Sequence, residues 1–212
     1  MLPWHGLLGC LLPEDMLCAD YRRLETVYGP LAQSIRRLVD VSIRSAADPA
    51  TVATAMAKID SAADALSASA RPGSFGVRTA ADGTAIAWGN VVVGLRNPLA
   101  PPLVLHHEED GLVWSEFTLG AAYEGPPEHV HGGVSALILD HVLGATAHRP
   151  GRPAYTGTLT VRYRRRTQLG RPLRAEARIE RTEGVKTFSI GQISDADGVT
   201  VAADGVFISP KP

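Results

Sequence analysis

The spacing of apolar residues divides the chain into a helical first part and a strand-rich second part. Between residues 14 and about 68, apolar side chains recur at near-helical intervals, with an interruption predicted at Gly29–Pro30. Asp48 followed by Pro49 marks a second helix start, because aspartate caps helix N-termini and proline favours the first helical position. The pattern therefore predicts a helical extension over residues 1–75.

The role of this extension is open to two interpretations. Its alanine-rich second helix suits packing or oligomerisation, which we favour, and the alternative is a lid over a hydrophobic substrate. The first 17 residues, MLPWHGLLGCLLPEDML, are apolar but lack a basic leader and contain Pro3 and Pro13. We interpret them as a docking segment rather than a signal peptide.

Strand signals dominate beyond residue 84. Short β-type runs separated by Gly, Pro and Asp-Gly occupy residues 86–94, 103–107, 112–119, 154–167, 172–182, 185–194 and 199–208. One long helical pattern, from His131 to His148, interrupts them. Strands on both sides of a single helix predict an α+β domain over residues 76–212, with a mostly antiparallel sheet.

Composition narrows the class of protein. Hydrophobic residues make up 45% and charged residues 20% of the 212 residues, an ordinary globular balance. The formal net charge of −1 gives no general electrostatic case for nucleic-acid binding. Two cysteines, Cys10 and Cys18, are too few to stabilise a domain of this size through disulfides. No apolar run reaches the roughly 20 residues of a membrane span. We expect a cytoplasmic protein without a transmembrane segment.

The helix from His131 to His148 carries the candidate chemistry. One stripe is apolar, and we expect it to face the sheet; its residues are Val134, Leu137, Ile138, His141, Val142 and Ala145. A second face carries a lone carboxylate, Asp140, among small residues. A carboxylate at a close helix contact is costly unless it has a partner or a function.

The start of this helix suits the binding of negative charge. His131–Gly132–Gly133 leaves backbone N–H groups open at the positive end of the helix dipole, as an oxyanion hole requires. Gly132 and Asp140 are eight residues apart, which is about 12 Å along a helix. One substrate carbonyl cannot touch both groups of the same helix. A catalytic interpretation therefore requires a dimer with two equivalent sites.

The run HVHGGVSALILDHVLG, followed by four strands, resembles the hotdog-fold acyl-CoA thioesterases, in the HGG…Asp branch related to phenylacetate-degradation thioesterases. The resemblance covers roughly residues 97–208 and leaves residues 1–75 outside. It implies an antiparallel sheet wrapped around one central helix. It also implies a homo-oligomer, as a homodimer or a dimer of dimers, that hydrolyses a fatty or aromatic acyl-CoA to the free acid and CoA.

The resemblance also assigns roles to residues. Gly132 supplies the N–H that binds the oxyanion, and the neighbouring Gly133 binds the substrate. Asp140 acts as general base or nucleophile. Thr156, early in the next strand, orients the water molecule or the acid, with Thr158 as the alternative. His131 holds the loop or contacts the thioester. The chain departs from the family where Arg165–Arg166 replaces a customary proline in a strand bulge.

Positive charge is concentrated after the helix. Residues 149–186 contain 11 Lys/Arg against 3 Asp/Glu, whereas residues 1–148 contain 9 against 16. Pairing across strands explains part of this excess. Arginine also suits the phosphates of coenzyme A, and we single out Arg164 and Arg165 from the run Arg162–Arg166.

Thioester hydrolysis needs a base, a water molecule and an oxyanion donor, so we expect no cofactor and no metal. Neither His129 with His131 nor His106 with His107 has a third metal ligand at a recognisable spacing. Three competing functions stay open: a non-catalytic acyl-CoA-binding protein, a hotdog enoyl-CoA hydratase and a structural partner-binding module. The observation that discriminates among them is whether Asp140 is needed for turnover but not for folding.

Overall fold

The computed structural model describes residues 18–79, 85–101, 103–148 and 152–210. The apolar segment 1–17, interpreted above as a docking segment, lies outside these residues. No helix within the described ranges is long and apolar enough to cross a membrane.

Helix α1 (Cys18–Arg44) runs through Pro30, so the predicted interruption at Gly29–Pro30 is wrong. Proline removes one backbone hydrogen bond and strains the preceding turn, but contacts along the helix can outweigh that cost. Arg36 provides such contacts by donating to the carbonyl oxygens of Asn97 (2.9 Å) and Ala100 (3.2 Å). These bonds attach α1 to the strand-rich part of the chain; the division of the chain at residue 75 stays a prediction.

Helix α2 (Pro49–Ser67) begins where the sequence predicts. The Asp48 carboxylate accepts hydrogen bonds from Ala50 N–H (2.9 Å) and Thr51 N–H (3.0 Å), as an N-cap does. None of the residues of α2 is buried against the rest of the described chain. Its apolar side chains are exposed, among them Val52, Met56, Ile59 and Leu66. The predicted role of α2 in oligomerisation stays a prediction.

The second part of the chain forms an antiparallel sheet, as predicted. Strands β1 (Arg78–Thr79) and β2 (Ala85–Ile86) pair with each other separately. The main strands are β3 (His106–His107), β4 (Val113–Thr118), β5 (Tyr155–Tyr163), β6 (Pro172–Glu183), β7 (Lys186–Asp195) and β8 (Gly198–Ile208). They lie in the order β3-β4-β6-β7-β8-β5, with every pair antiparallel and β5 at one edge.

The predicted strand at residues 86–94 is wrong beyond Ile86. The side chain of Asn90 accepts hydrogen bonds from Val92 N–H (2.7 Å) and Val93 N–H (3.1 Å), which folds the valine run into turns. Asparagine commonly bonds to the backbone two residues ahead and initiates such turns. Only the last two residues of the strand predicted at residues 103–107 form a strand, β3, which lies at the edge of the sheet. The later strands match their predicted positions within a few residues.

Helix α3 (Gly132–Ala147) packs across the sheet, but its buried stripe differs from the predicted one. The fully buried residues are Ser135, Ile138, Leu139, Val142, Leu143, Thr146 and Ala147. Val134, Leu137, His141 and Ala145, which the sequence places against the sheet, are only half-buried. The helix is apolar on nearly every side, so periodicity could not identify the side that faces the sheet. One apolar face of α3 therefore stays partly exposed, although Val134, Leu137 and Ala145 also pack against the core.

Glycines in the sheet set how closely α3 approaches. The Leu143 side chain lies 2.7 Å from the position that a Cβ would take on Gly191 of β7, and 3.3 Å from the equivalent position on Gly205 of β8. A Cβ on Gly191 would also lie 2.6 Å from the Glu176 carbonyl oxygen, which belongs to the backbone of β6. The close contact between α3 and the sheet therefore requires Gly191 to have no side chain.

Gly191→Ala is expected to lower the free energy of unfolding by about 2–3 kcal/mol, because overpacking forces a shift of helix and backbone together. The measurement is the urea midpoint of unfolding. Gly29→Ala is the matched control, since a Cβ there meets Leu95 at an ordinary 3.6 Å. Equal urea midpoints for Gly191→Ala and the parent protein would contradict the packing argument.

Candidate active site

His131 fixes the start of α3. It is the N-cap, and its Nδ1 atom accepts a hydrogen bond of 3.0 Å from Gly133 N–H. Its own N–H donates to the Tyr123 carbonyl oxygen at 2.9 Å. These contacts join His131 to the loop before α3 and to the first turn of the helix, and both predicted roles of His131 stay predictions.

The first turn of α3 leaves one backbone donor open. A helix cannot satisfy its first N–H groups internally. Here Gly133 N–H is bonded to His131, and Val134 and Ser135 both donate to the His131 carbonyl oxygen. Gly132 N–H has no acceptor among the described residues. It is therefore available to a ligand at the positive end of the helix dipole.

Gly132 lies in a surface cleft of about 290 Å³. The cleft is lined by Pro126, His129, Val130, Gly132, Ser135, Tyr163, Arg165, Arg166 and Thr167. It combines an open backbone donor with positive charge, an arrangement that suits an anion or a carbonyl that becomes negative during reaction.

Asp140 is paired with Thr156. The Thr156 hydroxyl donates a hydrogen bond of 2.8 Å to Oδ1 of the half-buried Asp140 carboxylate. The register of β5 shifts between Thr156 and Thr158, so Gly157 forms a bulge. Thr156 lies opposite the buried Phe207, whereas Thr158 lies opposite Val206, the next residue along β8. Since side chains alternate along a strand, Thr158 lies on the other face of the sheet and does not reach Asp140.

The Arg165 side chain is bonded to other residues of the same chain. Its guanidinium forms an ion pair with Asp195, whose side chain is only 2% exposed, and donates to the Gly198 carbonyl oxygen at 2.7 Å. The hydrogen bonds from Arg165 hold the pKa of Asp195 below its ordinary value. Arg164 and Arg166 are exposed and have no side-chain partner among the described residues. Both Arg165 and Arg166 line the cleft, and the substrate-binding role predicted for Arg165 stays a prediction.

Arg164 and Arg165 follow β5 directly, and the sequence resemblance leads one to expect a proline at Arg165 or Arg166. The N–H groups of Arg164 (2.8 Å) and Arg165 (3.2 Å) both donate to the Thr200 carbonyl oxygen. Two successive donors on one acceptor mark an irregular strand end, which explains why the predicted strand at residues 154–167 stops at Tyr163.

Tyr163 is a neighbour of Gly132 that the sequence did not single out. Its hydroxyl donates a hydrogen bond of 2.9 Å to the Gly132 carbonyl oxygen. Its ring atoms lie 3.2–3.3 Å from the position that a Cβ would take on Gly132. Strand alternation places Tyr163 on the helix side of β5, but nothing in the sequence indicates that it reaches the start of α3.

The histidines considered as metal ligands have other contacts. His106 stacks on Trp114 with ring centroids 4.2 Å apart, and His129 Nδ1 lies 2.7 Å from the Pro127 carbonyl oxygen. Within the described ranges, no three His, Cys, Asp or Glu side chains are grouped to hold a metal ion. His141, predicted to be a core histidine, is half-buried, and this burial lowers its pKa.

Comparison with known proteins places this chain in a family. The family model of the thioesterase superfamily matches residues 128–202, the segment that contains α3, Asp140 and Thr156. The crystal structure of protein RHA08564, a thioesterase superfamily protein, is 36% identical, with a TM-score of 0.77 over 85% of this chain and 94% of that chain. This chain belongs to the thioesterase superfamily. The predicted α+β hotdog fold is thereby confirmed.

Two curated proteins are also similar to this chain. Acyl-coenzyme A thioesterase THEM4 from Xenopus laevis is 36% identical over 81 residues, which is 38% of this chain and 36% of that protein. Acyl-coenzyme A thioesterase THEM5 from Mus musculus is 28% identical over 94 residues, or 43% of this chain and 38% of that protein. The matched part thus spans little more than a third of these relatives.

The comparison with RHA08564 corrects one expectation. Residues 76–212 make up less than two thirds of the chain, so a match over 85% of it includes part of residues 1–75. The superfamily member shares some of the helical extension, which the sequence resemblance left out. The more specific relation to phenylacetate-degradation thioesterases stays a prediction.

Proposed function

We propose that this protein is an acyl-CoA thioesterase, which hydrolyses a fatty or aromatic acyl-CoA to the free acid and CoA. One observation carries the proposal: the same helix presents a Gly132 N–H with no acceptor among the described residues and an Asp140 carboxylate that Thr156 holds in place. Membership of the thioesterase superfamily and the names of the two curated relatives support it.

The proposed reaction uses these groups without a cofactor or a metal. The thioester carbonyl oxygen accepts a hydrogen bond from Gly132 N–H, which stabilises the negative charge that develops on it. Asp140 takes a proton from water, the water oxygen attacks the carbonyl carbon, and the proton passes to the departing sulfur. In the alternative route Asp140 attacks the carbonyl carbon, the C–S bond breaks and CoA leaves as its thiolate. Water then hydrolyses the mixed anhydride to the free acid and the Asp140 carboxylate, and the proton released goes to the thiolate. Thr156 holds Oδ1 in both routes and leaves Oδ2 for the reaction.

The proposed site is shared between two copies of the chain. Gly132 and Asp140 are eight residues apart on α3, a separation of about 12 Å, so both cannot contact one carbonyl within one chain. Val134 and Leu137 pack against the core but stay partly exposed on α3, which leaves apolar surface that a second copy could cover. In the proposed homodimer, Gly132 of one protomer faces Asp140 of its partner.

The proposed binding of the CoA phosphates uses unpaired arginines. Arg166 lines the cleft, and Arg164 is exposed two residues before it in the chain. Neither forms an ion pair with another described residue, whereas Arg162 is paired with Asp204 and Arg165 with Asp195. Guanidinium groups bind phosphate oxygens through paired hydrogen bonds.

Thr156→Ala is expected to lower kcat about 10- to 30-fold, because the carboxylate of Asp140 loses a hydrogen bond that fixes its orientation. Steady-state hydrolysis of the preferred acyl-CoA measures the change. Thr158→Ala, on the opposite face of the same strand, is the matched control and should retain parental kcat. Equal losses in the two variants would show that damage to β5, rather than the contact with Asp140, is responsible.

The function itself is tested by release of free thiol from a panel of acyl-CoAs. The panel runs from acetyl- to palmitoyl-CoA and includes phenylacetyl- and benzoyl-CoA. The expected result is hydrolysis with a preference for one acyl class. Binding of acyl-CoA without thiol release would identify a non-catalytic binding protein, and hydration of crotonyl-CoA with the thioester intact would identify a hydratase. Either outcome would overturn the proposal.

A further inference from the structure

We propose that Tyr163 is a positioning residue, which holds the Gly132 N–H donor in place through its hydroxyl group; this inference rests on the proposed function. Tyr163 is the last residue of β5 and lies at the mouth of the cleft, with its side chain 56% exposed. Its hydroxyl donates to the Gly132 carbonyl oxygen at 2.9 Å. It therefore links the edge of the sheet to the first residue of α3.

The start of α3 needs such a restraint. Gly132 and Gly133 are adjacent, and glycine loses more conformational freedom on folding than any other residue. Helix ends also fray more readily than helix interiors. An oxyanion donor, however, acts only when it is held at hydrogen-bond distance from the reacting oxygen. The turn must therefore be fixed by contacts outside the two glycines.

Three hydrogen bonds supply these contacts. His131 contributes two, through its Nδ1 atom to Gly133 N–H and through its N–H to Tyr123. Both join the start of α3 to the segment that leads into it. The bond from Tyr163 comes from the sheet, and the Tyr163 ring also packs directly against Gly132. Tyr163 thus orients Gly132 relative to the rest of the protein.

The ring and the hydroxyl have separable roles. The ring lies where a side chain on residue 132 would be, which favours glycine at that position. The hydroxyl donates a second hydrogen bond to a carbonyl oxygen that already accepts one from the helix interior. Tyr163→Phe removes only this second bond and leaves the packing in place.

The test measures hydrolysis and backbone motion together in the full-length protein. Tyr163→Phe is expected to lower kcat about 5- to 10-fold with KM within about twofold, since a single neutral hydrogen bond is lost and the ring remains. Amide hydrogen exchange at His131, Gly133 and Val134, whose N–H groups are hydrogen-bonded, should become about fivefold faster. Tyr155→Phe is the matched control: Tyr155 lies at the other end of β5, is 61% exposed, and has no hydroxyl partner among the described residues. It should leave both measurements unchanged.

The outcomes separate this inference from the proposed function. If the parent protein hydrolyses no thioester, the proposed function fails, and unchanged exchange in Tyr163→Phe would then also overturn the positioning role. Faster exchange with parental kcat would show that the bond stabilises the helix start without aiding catalysis, which overturns the inference. A loss confined to KM would do the same, because it would indicate substrate contact instead of positioning.

Discussion

Asp140→Asn is expected to lower kcat for thioester hydrolysis by about 10³-fold or more, while the protein keeps its fold and oligomeric state. An amide of almost the same shape neither accepts the proton of water nor attacks the carbonyl. The Thr156 hydroxyl, 2.8 Å from Oδ1 in the parent, still finds an acceptor on asparagine. Thiol release from the preferred acyl-CoA measures the loss, and circular dichroism with size-exclusion chromatography checks the fold and the assembly.

A second carboxylate provides the control for this result. Asp204 forms an ion pair with Arg162, on a face of the sheet away from α3. Asp204→Asn changes the net charge by the same amount and should retain parental kcat. Full activity of Asp140→Asn would remove Asp140 from the mechanism, whatever the fold.

Gly132→Pro is expected to lower kcat by about 10²- to 10³-fold, since it deletes the one N–H group proposed to bind the oxyanion. The backbone accommodates proline at this position. Residue 132 is the first residue of α3, where proline is favoured, and His131 has the extended conformation (φ −62°, ψ 132°) that precedes proline readily. Steady-state kinetics with the preferred acyl-CoA measure the change.

Gly132→Ala is the matched variant, because it places the same Cβ against the Tyr163 ring but keeps the N–H. A loss of only a few-fold is expected, since the exposed ring has room to shift by a few tenths of an ångström. Similar losses in both variants would assign the effect to crowding at Tyr163 and not to the missing donor.

Mixing two inactive variants tests whether the site is shared. If Gly132 and Asp140 act across the dimer, a mixed dimer of Gly132→Pro and Asp140→Asn chains contains one intact site and one doubly altered site. Random exchange should restore about a quarter of the parental activity. No recovery, once subunit exchange is verified, would place the whole site within one chain and contradict the shared arrangement.

The sequence predicted the long elements well because their patterns are local. Helix α3, the Asp48 cap and the last three strands follow from periodicity and turn residues. The valine run after Ile86 was mistaken for a strand, because β-branched residues favour strands and the bonds of Asn90 override that preference. Pro30 was mistaken for a helix break, because contacts such as those of Arg36 lie far away in the sequence.

The candidate site was only partly predictable for the same reason. Strict alternation along β5 places Thr156 on the same face as Thr158, and only the bulge at Gly157 turns Thr156 toward Asp140. The partner of Arg165 lies 30 residues further on, so an internal ion pair and a phosphate ligand were indistinguishable in the sequence. The hydrogen bond from Tyr163 to Gly132 forms only because the end of β5 packs against the start of α3. These residues are 31 positions apart, so the local sequence pattern does not predict the contact.

The geometry of β5 limits where the chain tolerates insertions and deletions. Thr156 contacts α3 near one end of the strand and Tyr163 near the other, with the bulge between Thr156 and Thr158. Loss or gain of one residue between them would reverse the faces of all side chains on one side of the change. One of the two contacts would then be on the wrong side of the sheet. Length variation in this protein is therefore expected in its surface turns, and the distance from Thr156 to Tyr163 is expected to stay fixed.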